Sequence, residues 1–307
     1  MSQFSPSLSQ SSSVPGRLYV VATPIGNLED WSPRASLVLR RANRIVAEDT
    51  RHTRKLLAHF DIHVPLVSCH ANNEAQRVPV LIACLARGET LALVTDAGTP
   101  LVSDPGQRLV DAAHRSGIPV SPIPGPAAVV TALSVAGFPG SRFHFEGFLP
   151  PRGGHRRDRL EALAHLPGIL VFYEAPSRML RLLQDLSDLL GPDREALLAR
   201  ELTKIHETLL RDSLGALGQR LKAAVESIRG EMVLVVAGQD PADAPARAGS
   251  PTLERTLAVL LELLPPAQAA ARAAALFGLS RSLVYRRALE LGAHLPTAQP
   301  ECSDPDR

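Results

Sequence analysis

Apolar positions in the first half of the chain fall into short runs, each followed by a turn-rich stretch and then a helical pattern. LYVVAT (18–23) is a strand-type run that leads into PIGNLED and a helix. Ser32 can cap that helix, Pro33 suits its first position, and Ala35, Val38, Leu39 and Ala42 give it one apolar face. RIVAE (44–48) and LALVT (91–95) are further buried-strand candidates, the latter leading to a helix over 106–116. VPLVS (64–68) and IPVSPI (118–123) are weaker ones. This alternation predicts an α/β layer with a largely parallel sheet.

The rhythm breaks at Gly137 to Pro151, where Gly and Pro cluster around FHFEGF, and the domain boundary is placed there. Beyond it, GILVFYEA (168–175), EALLAREL (195–202), ETLLRDS (207–213) and GEMVLVVAG (230–238) are strand candidates. The second and third leave no room for a helix around Ile205 to Glu207, which predicts a mixed sheet with an antiparallel pair. Residues 239–252, dense in Pro, Asp and Ala, read as a linker, and the patterns after it are helical only. The predicted organisation is a disordered tail over 1–15, an α/β domain over 16–140, a second over 141–238, the linker, a helical extension over 253–295 and a tail over 296–307.

Composition narrows the class. With 45% hydrophobic and 21% charged residues, the 307-residue chain is that of an ordinary globular protein. No apolar run reaches the roughly 18 residues a membrane span needs, and the Ser-, Gln- and Pro-rich start lacks the features of a secretory signal, so a cytoplasmic location is expected. Cys69, Cys84 and Cys302 have neither disulfide-framework nor zinc-ligand spacing. A net charge of +2 does not by itself argue for nucleic acid. Its distribution offers two basic candidates: Arg152, Arg156, Arg157 and Arg159 near a Gly-rich turn, and Arg281, Arg286 and Arg287 in the tail.

Open α/β sheets bind ligands beyond the carboxyl ends of their strands. Three loops there are rich in turn residues: VATPIGNLED (21–30), TDAGTPLVSDPG (95–106) and PIPGPAAVVTALSVAGFP (122–139). Neither a G-x-G-x-x-G after a strand nor a G-x-x-x-x-G-K-[ST] is present, which removes the usual support for dinucleotides and nucleoside triphosphates. Carboxylates and histidines that invite proton chemistry lie in AEDTRHTRKLL (47–57), with Glu48, Asp49, Arg51 and His52 at one strand end, in Glu201 and Lys204, and in His70 and Glu74. A lysine serves as a base only if its surroundings lower its pKa. Asp49 and Arg51 also suit a helix-capping role, and Glu201 with Lys204 a structural ion pair.

Taken together, VATPIGNLED, AEDTRHTRKLL, SCHANNE (68–74), TDAGTPLVSDPG, the Pro124-Gly125-Pro126 turn, FYEAPSR (172–178), ARELTKIHET (199–208) and GEMVLVVAG occur in the order found in one family. The chain, over Arg17 to Gly238, resembles the small-subunit ribosomal RNA methyltransferase I family of the tetrapyrrole-methylase fold superfamily. The resemblance implies a two-domain α/β fold with a small C-terminal helical extension, acting as a homodimer. It implies S-adenosylmethionine as methyl donor, no metal, and 2′-O-methylation of a cytidine ribose in the decoding region of 16S rRNA in the small ribosomal subunit. Carried over, Pro24 and Gly26 line the cofactor cleft from the first loop, Asp96, Gly98, Thr99 and Ser103 from the second, and Pro126 and Ala127 from the third. Tyr173, Leu202 and Met232 flank the adenosine. Lys204, Glu201, Glu48 and Asp49 are the catalytic candidates, and Arg51, His52, Arg152, Arg156 and Arg157 the RNA-binding ones. Methylation of a tetrapyrrole, or RNA binding without catalysis, stays open at this level, since one fold hosts many chemistries.

Overall fold

A computed structural model describes residues 16–151, 154–164, 166, 168–223, 229–238 and 251–292. Both expected tails, nearly all of the expected linker, Arg152 and Cys302 lie outside the described residues. Residues up to Gly238 form one compact unit and those from Gln239 a second.

In the first unit, β1 (Leu18–Val21), β2 (Arg44–Ala47), β3 (Leu66–Ser68), β4 (Leu91–Val94) and β5 (Val120–Ile123) form a sheet in the order β3-β2-β4-β1-β5, parallel throughout. All four residues of β4 are buried, as a central parallel strand covered on both faces requires. On one face lie α1 (Pro33–Arg41) and α2 (Thr50–His59), whose Ala35, Leu39 and Leu57 pack on Val21, Ile45 and Ala92. On the other lie α3 (Glu74–Ala86) and α4 (Gln107–Arg115), with Leu81, Leu85, Leu109 and Ala113 against Leu18, Val46 and Leu93. Ser32 does precede α1, but its side chain makes no capping bond; its carbonyl accepts from the Ala35 and Ser36 amides instead.

The stretch FHFEGF, read from sequence as a Gly/Pro-rich interruption, is a strand, β6 (Phe143–Phe148). Its Gly147 takes a positive φ of 70° at a register shift, and this bulge is what disguised the strand. With β7 (Ile169–Glu174), β8 (Glu195–Arg200), β9 (Thr208–Ser213) and β10 (Met232–Val236) it forms a second sheet, β6-β7-β10-β8-β9. The β6/β7 pair is parallel and the rest antiparallel, including the expected β8/β9 pair. One face packs on α6 (Gly154–Leu163), α7 (Pro176–Leu190) and α8 (Leu214–Ala223), around Phe172, Met179, Leu182 and Leu217. The other receives α5 (Ala128–Ala136), whose Val129, Ala132 and Ala136 meet Val171, Ala199, Val233 and Val235. Packing thus carries α5 across the boundary expected near residue 140.

The second unit is a three-helix bundle of α9 (Pro251–Leu263), α10 (Pro266–Phe277) and α11 (Arg281–Gly292), with Leu253, Leu257, Ala270, Ala273, Val284 and Ala288 as its core. Leu264 and Pro265 separate α9 from α10.

Candidate active site

The loop after β4 organises the site. Thr23 and Gly98 exchange backbone hydrogen bonds of 2.8 and 3.1 Å, and the fully buried Thr23 hydroxyl lies 3.2 Å from the Thr95 carbonyl. The Thr99 hydroxyl donates to the Pro126 carbonyl at 3.0 Å, so the first, second and third loops are stitched together. Five non-glycine residues among those described have positive φ; Leu101 and Ser103 lie in this loop, and Glu201 and Thr203 in the loop after β8. Such conformations cost about 1–3 kcal/mol each and persist only where surroundings impose them. A Cβ on Gly147 would stand 2.9 Å from the Ser103 hydroxyl, so the β6 bulge brings the second sheet against the loop of the first.

Between them lies a cleft of about 400 Å³. Ile25, Ala97, Gly98, Val102, Ser103, Asp104 and Ala128 wall it from the first sheet's side. Phe148, Tyr173, Glu174, Ala199, Leu202, Gly230, Glu231, Met232 and Val233 wall it from the second. The Tyr173 ring meets Phe145 and Phe148 edge-on at 4.7 and 5.8 Å. Burial pushes its phenol up to about 12, which keeps it protonated at neutral pH.

Charge is arranged differently on the two sides. Burial first, and then the Glu48 and Asp96 carboxylates, push the Asp104 carboxyl up to about 6. Glu48 is raised by burial and by Asp96, although Thr95 donates to it at 3.2 Å. Asp49, by contrast, caps α2: its carboxylate accepts from the Arg51 amide at 2.8 Å and pairs with the Arg51 guanidinium at 2.8 Å, and these bonds hold it far below the ordinary range. Its own amide donates to Asp96 at 3.2 Å. Across the cleft, the Lys204 ammonium sits 2.9 Å from Glu201 and 3.2 Å from Glu231. Partial burial works to lower the Lys204 pKa, but the two carboxylates outweigh it and leave it raised. The Glu231 amide and Lys204 hold Glu201 low. Lys204 is an ion-pair partner here, with its pKa raised rather than lowered. Its stem also packs where a Cβ on Gly26 would fall, 2.3 Å away.

Of the expected cofactor residues, Gly98, Ser103, Tyr173, Leu202 and Met232 line the cleft. Pro24, Gly26, Asp96, Thr99, Pro126 and Ala127 do not, although each is a chain neighbour of a lining residue or is bonded to one of the three loops. Asp104 and Glu174 escaped the sequence reading, yet both lie inside strings already singled out, TDAGTPLVSDPG and FYEAPSR. Glu74 is not at the site: it is 6% exposed and caps α4, accepting from the Arg108 and Leu109 amides at 2.9 and 3.3 Å. His70 sits in a turn, its amide donating to Asn73. Among the described residues no group of three or more His, Cys, Asp or Glu is arranged to hold a metal.

The RNA candidates separate sharply. Arg156 is 3% exposed, pairs with Asp185 at 2.9 Å and faces Glu174 at 3.7 Å, so it is turned to carboxylates inside the fold rather than to the surface. Arg157 pairs with Glu161, and Arg159 bonds Glu146 through two nitrogens at 2.6 and 2.7 Å. Arg51 folds back on Asp49, whereas His52 is exposed at the start of α2. In the second unit, Arg287 is held between Glu254 and Glu290.

Comparison with known proteins fits this geometry. Residues 17–218 match the family of Tetrapyrrole (Corrin/Porphyrin) Methylases, and residues 247–292 match the RsmI C-terminal HTH domain. The ribosomal RNA small subunit methyltransferase I of Xylella fastidiosa strain Temecula1 is 51% identical over 273 residues, covering 89% of this chain and 99% of its own. That of Escherichia coli O157:H7 is 47% identical over 277 residues, covering 90% and 95%. Among solved structures, diphthine synthase superposes with a TM-score of 0.57 at 15% identity, over 72% of this chain and 89% of its own. A Thermus thermophilus uroporphyrin-III C-methyl transferase complexed with S-adenyl homocysteine gives 0.51 at 20% identity, over 72% and 97%. These two share the fold. The chain belongs to the tetrapyrrole (corrin/porphyrin) methylase family and, within it, to the ribosomal RNA small subunit methyltransferase I family.

Proposed function

We propose that the chain transfers a methyl group from S-adenosylmethionine to small-subunit ribosomal RNA, at the 2′-hydroxyl of a cytidine in the decoding region of 16S rRNA. The observation that carries the chemical part is the cleft with Asp104 in its wall, lying against the loops that follow β1 and β4. Relatives of 51% and 47% identity, named for ribosomal RNA small subunit methylation, support the substrate. The homodimer and the cytoplasmic setting implied by the resemblance belong to the same proposal. No helix among the described residues is long and apolar enough to cross a membrane.

The residues present suit the methyl donor. A cleft of about 400 Å³ is of small-molecule size. Ile25, Val102, Leu202, Met232 and Val233 supply apolar wall for a nucleoside and Tyr173 a broad ring. In the same wall Glu174 adds a buried carboxylate oxygen that has no hydrogen-bond partner among the described residues, with the Arg156 guanidinium 3.7 Å away. When bound, the donor supplies an activated methyl on a sulfonium, so no metal is needed.

What remains for the protein is alignment and proton removal. Loops with imposed backbone conformations hold the walls, which favours the in-line geometry that such a displacement needs. A ribose hydroxyl loses its proton during or after attack, and a carboxylate that ionises at about 6 is charged and poised to accept it at neutral pH. Asp104 is the proposed acceptor, with Glu48 as the neighbour that tunes it. Asp49, Glu201 and Lys204 then act as braces, because each is committed to a partner.

The test is methyl transfer from labelled S-adenosylmethionine to purified small subunits lacking the modification, followed by mapping of the label. Label on one cytidine 2′-oxygen is expected, and Asp104→Asn in a folded, cofactor-binding chain removes it. Label on a tetrapyrrole and on no RNA would overturn the substrate; cofactor-independent RNA binding without turnover would overturn the enzyme. Light scattering at a single chain mass would remove the homodimer.

A further inference from the structure

Arg156, Arg157 and Arg159 of α6 each pair with a carboxylate, which turns the search for a phosphate-binding surface to other cations. α1 (PRASLVLRR) and α2 (TRHTRKLLAH) contain no Asp or Glu. They lie on the same face of the first sheet and share its core cluster, with Trp31, just before α1, stacked on Phe60, just after α2, at 4.8 Å and Arg40 donating to the Phe60 carbonyl at 2.6 Å. Arg34, Arg41, Arg54 and Lys55 are exposed on these two helices, and none has an ion-pair partner among the described residues. The carboxylates nearest in sequence lie beyond the helix ends, and Asp49 and Asp61 there are taken by Arg51 and His63.

The position of this face matters as much as its charge. α2 starts at Thr50, directly after Asp49, whose amide is bonded to Asp96 beside the cleft, and after Glu48, which faces Asp104. Ten helical residues span about 15 Å, so α2 runs from the cleft rim outward for the length of two or three nucleotides. Near its far end a groove of about 490 Å³ separates α2 from β3, walled by Leu57, Ile62, Val64 and Pro65, with Arg54 and His63 in the same lining. A groove of mixed polar and apolar lining, with Arg54 and His63 in its wall, suits an unstacked base and its phosphate, the usual target of protein recognition in single-stranded RNA.

We propose that the outer faces of α1 and α2, with the α2/β3 groove, form the track that holds single-stranded RNA flanking the methylated nucleotide. This rests on RNA being the substrate. Arg54 and Lys55 hold phosphates, Arg34 and Arg41 extend the contact, and the groove receives a base.

The experiment compares binding of the full chain, and of its R54E/K55E and R34E/R41E variants, to small ribosomal subunits lacking the modification, across a salt series. Exposed positions leave the fold intact, checked by circular dichroism and by unchanged S-adenosylmethionine binding. Each lost single-strand phosphate contact lowers the salt slope by about 0.7, so R54E/K55E flattens it by roughly 1.5 and weakens binding by about tenfold or more at low salt. KM rises by a similar factor while kcat holds, since these contacts do not sense the reacting atoms. Unchanged affinity and slope in both variants would overturn the track, as would a loss confined to R281E/R286E in the second unit. If R54E/K55E weakens binding with a flatter slope but the wild-type chain methylates no RNA, the track stands and the methylation reading falls.

Discussion

The two walls of the cleft use carboxylates in opposite ways. On the first sheet's side, Glu48, Asp96 and Asp104 crowd one another, and burial and their neighbours push Glu48 and Asp104 upward although His70 works against this at Glu48. On the second sheet's side, Glu201 and Glu231 enclose Lys204, and the pairing drives carboxylate and ammonium apart to firmly charged states. One wall is left able to exchange a proton near neutral pH; the other is fixed in shape and charge. Pairing is what makes the difference: the same residue types, given a partner, lose their capacity for acid–base work.

The sharpest way to break this contrast is Asp104→Asn, expected to lower methyl transfer by about 100-fold or more while labelled-cofactor binding persists. Stability moves the other way. A carboxyl raised on folding favours the folded chain in its protonated form, a contribution complete below about 4 and lost as pH rises through about 6. At pH 7 the ionised Asp104 therefore costs stability, and the amide raises Tm by about 2–4 °C in a thermal melt. A fall in Tm together with retained activity would dismiss the assignment. Next in size, Gly147→Ala forces a side chain into left-handed backbone and against Ser103, costing about 1–2 kcal/mol; denaturant titration and cofactor affinity both register it. The pH profile sharpens the comparison further. Log activity of the wild-type chain rises to a plateau with a midpoint near 6, and Glu48→Gln moves that midpoint downward by removing a neighbouring charge. An unmoved midpoint would mean that the acceptor lies elsewhere. The smallest effect is expected from Lys204→Met, which keeps the stem against Gly26 but loses the ion pairs: activity within about threefold, an unchanged pH midpoint, and a stability loss of about 1 kcal/mol, the upper end of the range for exposed pairs because Lys204 and Glu201 are mostly covered. A hundredfold fall there would restore Lys204 as the catalytic group.

Most strands were legible in the sequence because parallel strands buried on both faces read as apolar runs: LALVT and RIVAE stand out for that reason, and β8 and β9 announce their antiparallel pairing through the short link between them. β6 was not legible, since its exposed Phe143 and Phe148 and its bulged Gly147 imitate a loop. The site divides the same way. Gly98, Ser103, Tyr173, Leu202 and Met232 follow from matching strings, but Asp104 gains its character from burial and then from Glu48 and Asp96, with Glu48 56 residues away in the chain, and no local pattern encodes that meeting. Nor does sequence tell Arg156, sunk between Glu174 and Asp185, from Arg54, which faces water; only packing assigns a guanidinium to a carboxylate or leaves it for a ligand.

The packing of α5 against the second sheet has a consequence during synthesis. The helix ends at Ala136, while the β10 residues it packs on, ending at Val236, are made roughly 100 residues later, an interval of about 5–20 s at bacterial elongation rates. For that time Val129, Ala132 and Ala136 lack their permanent cover, although the first sheet upstream is already complete. Chains stalled near residue 200 are expected to be cut within α5 by added protease and protected once Val236 has emerged, so the nascent chain would pass through a stage in which its first sheet is folded and the helix bordering its cleft still waits for a partner.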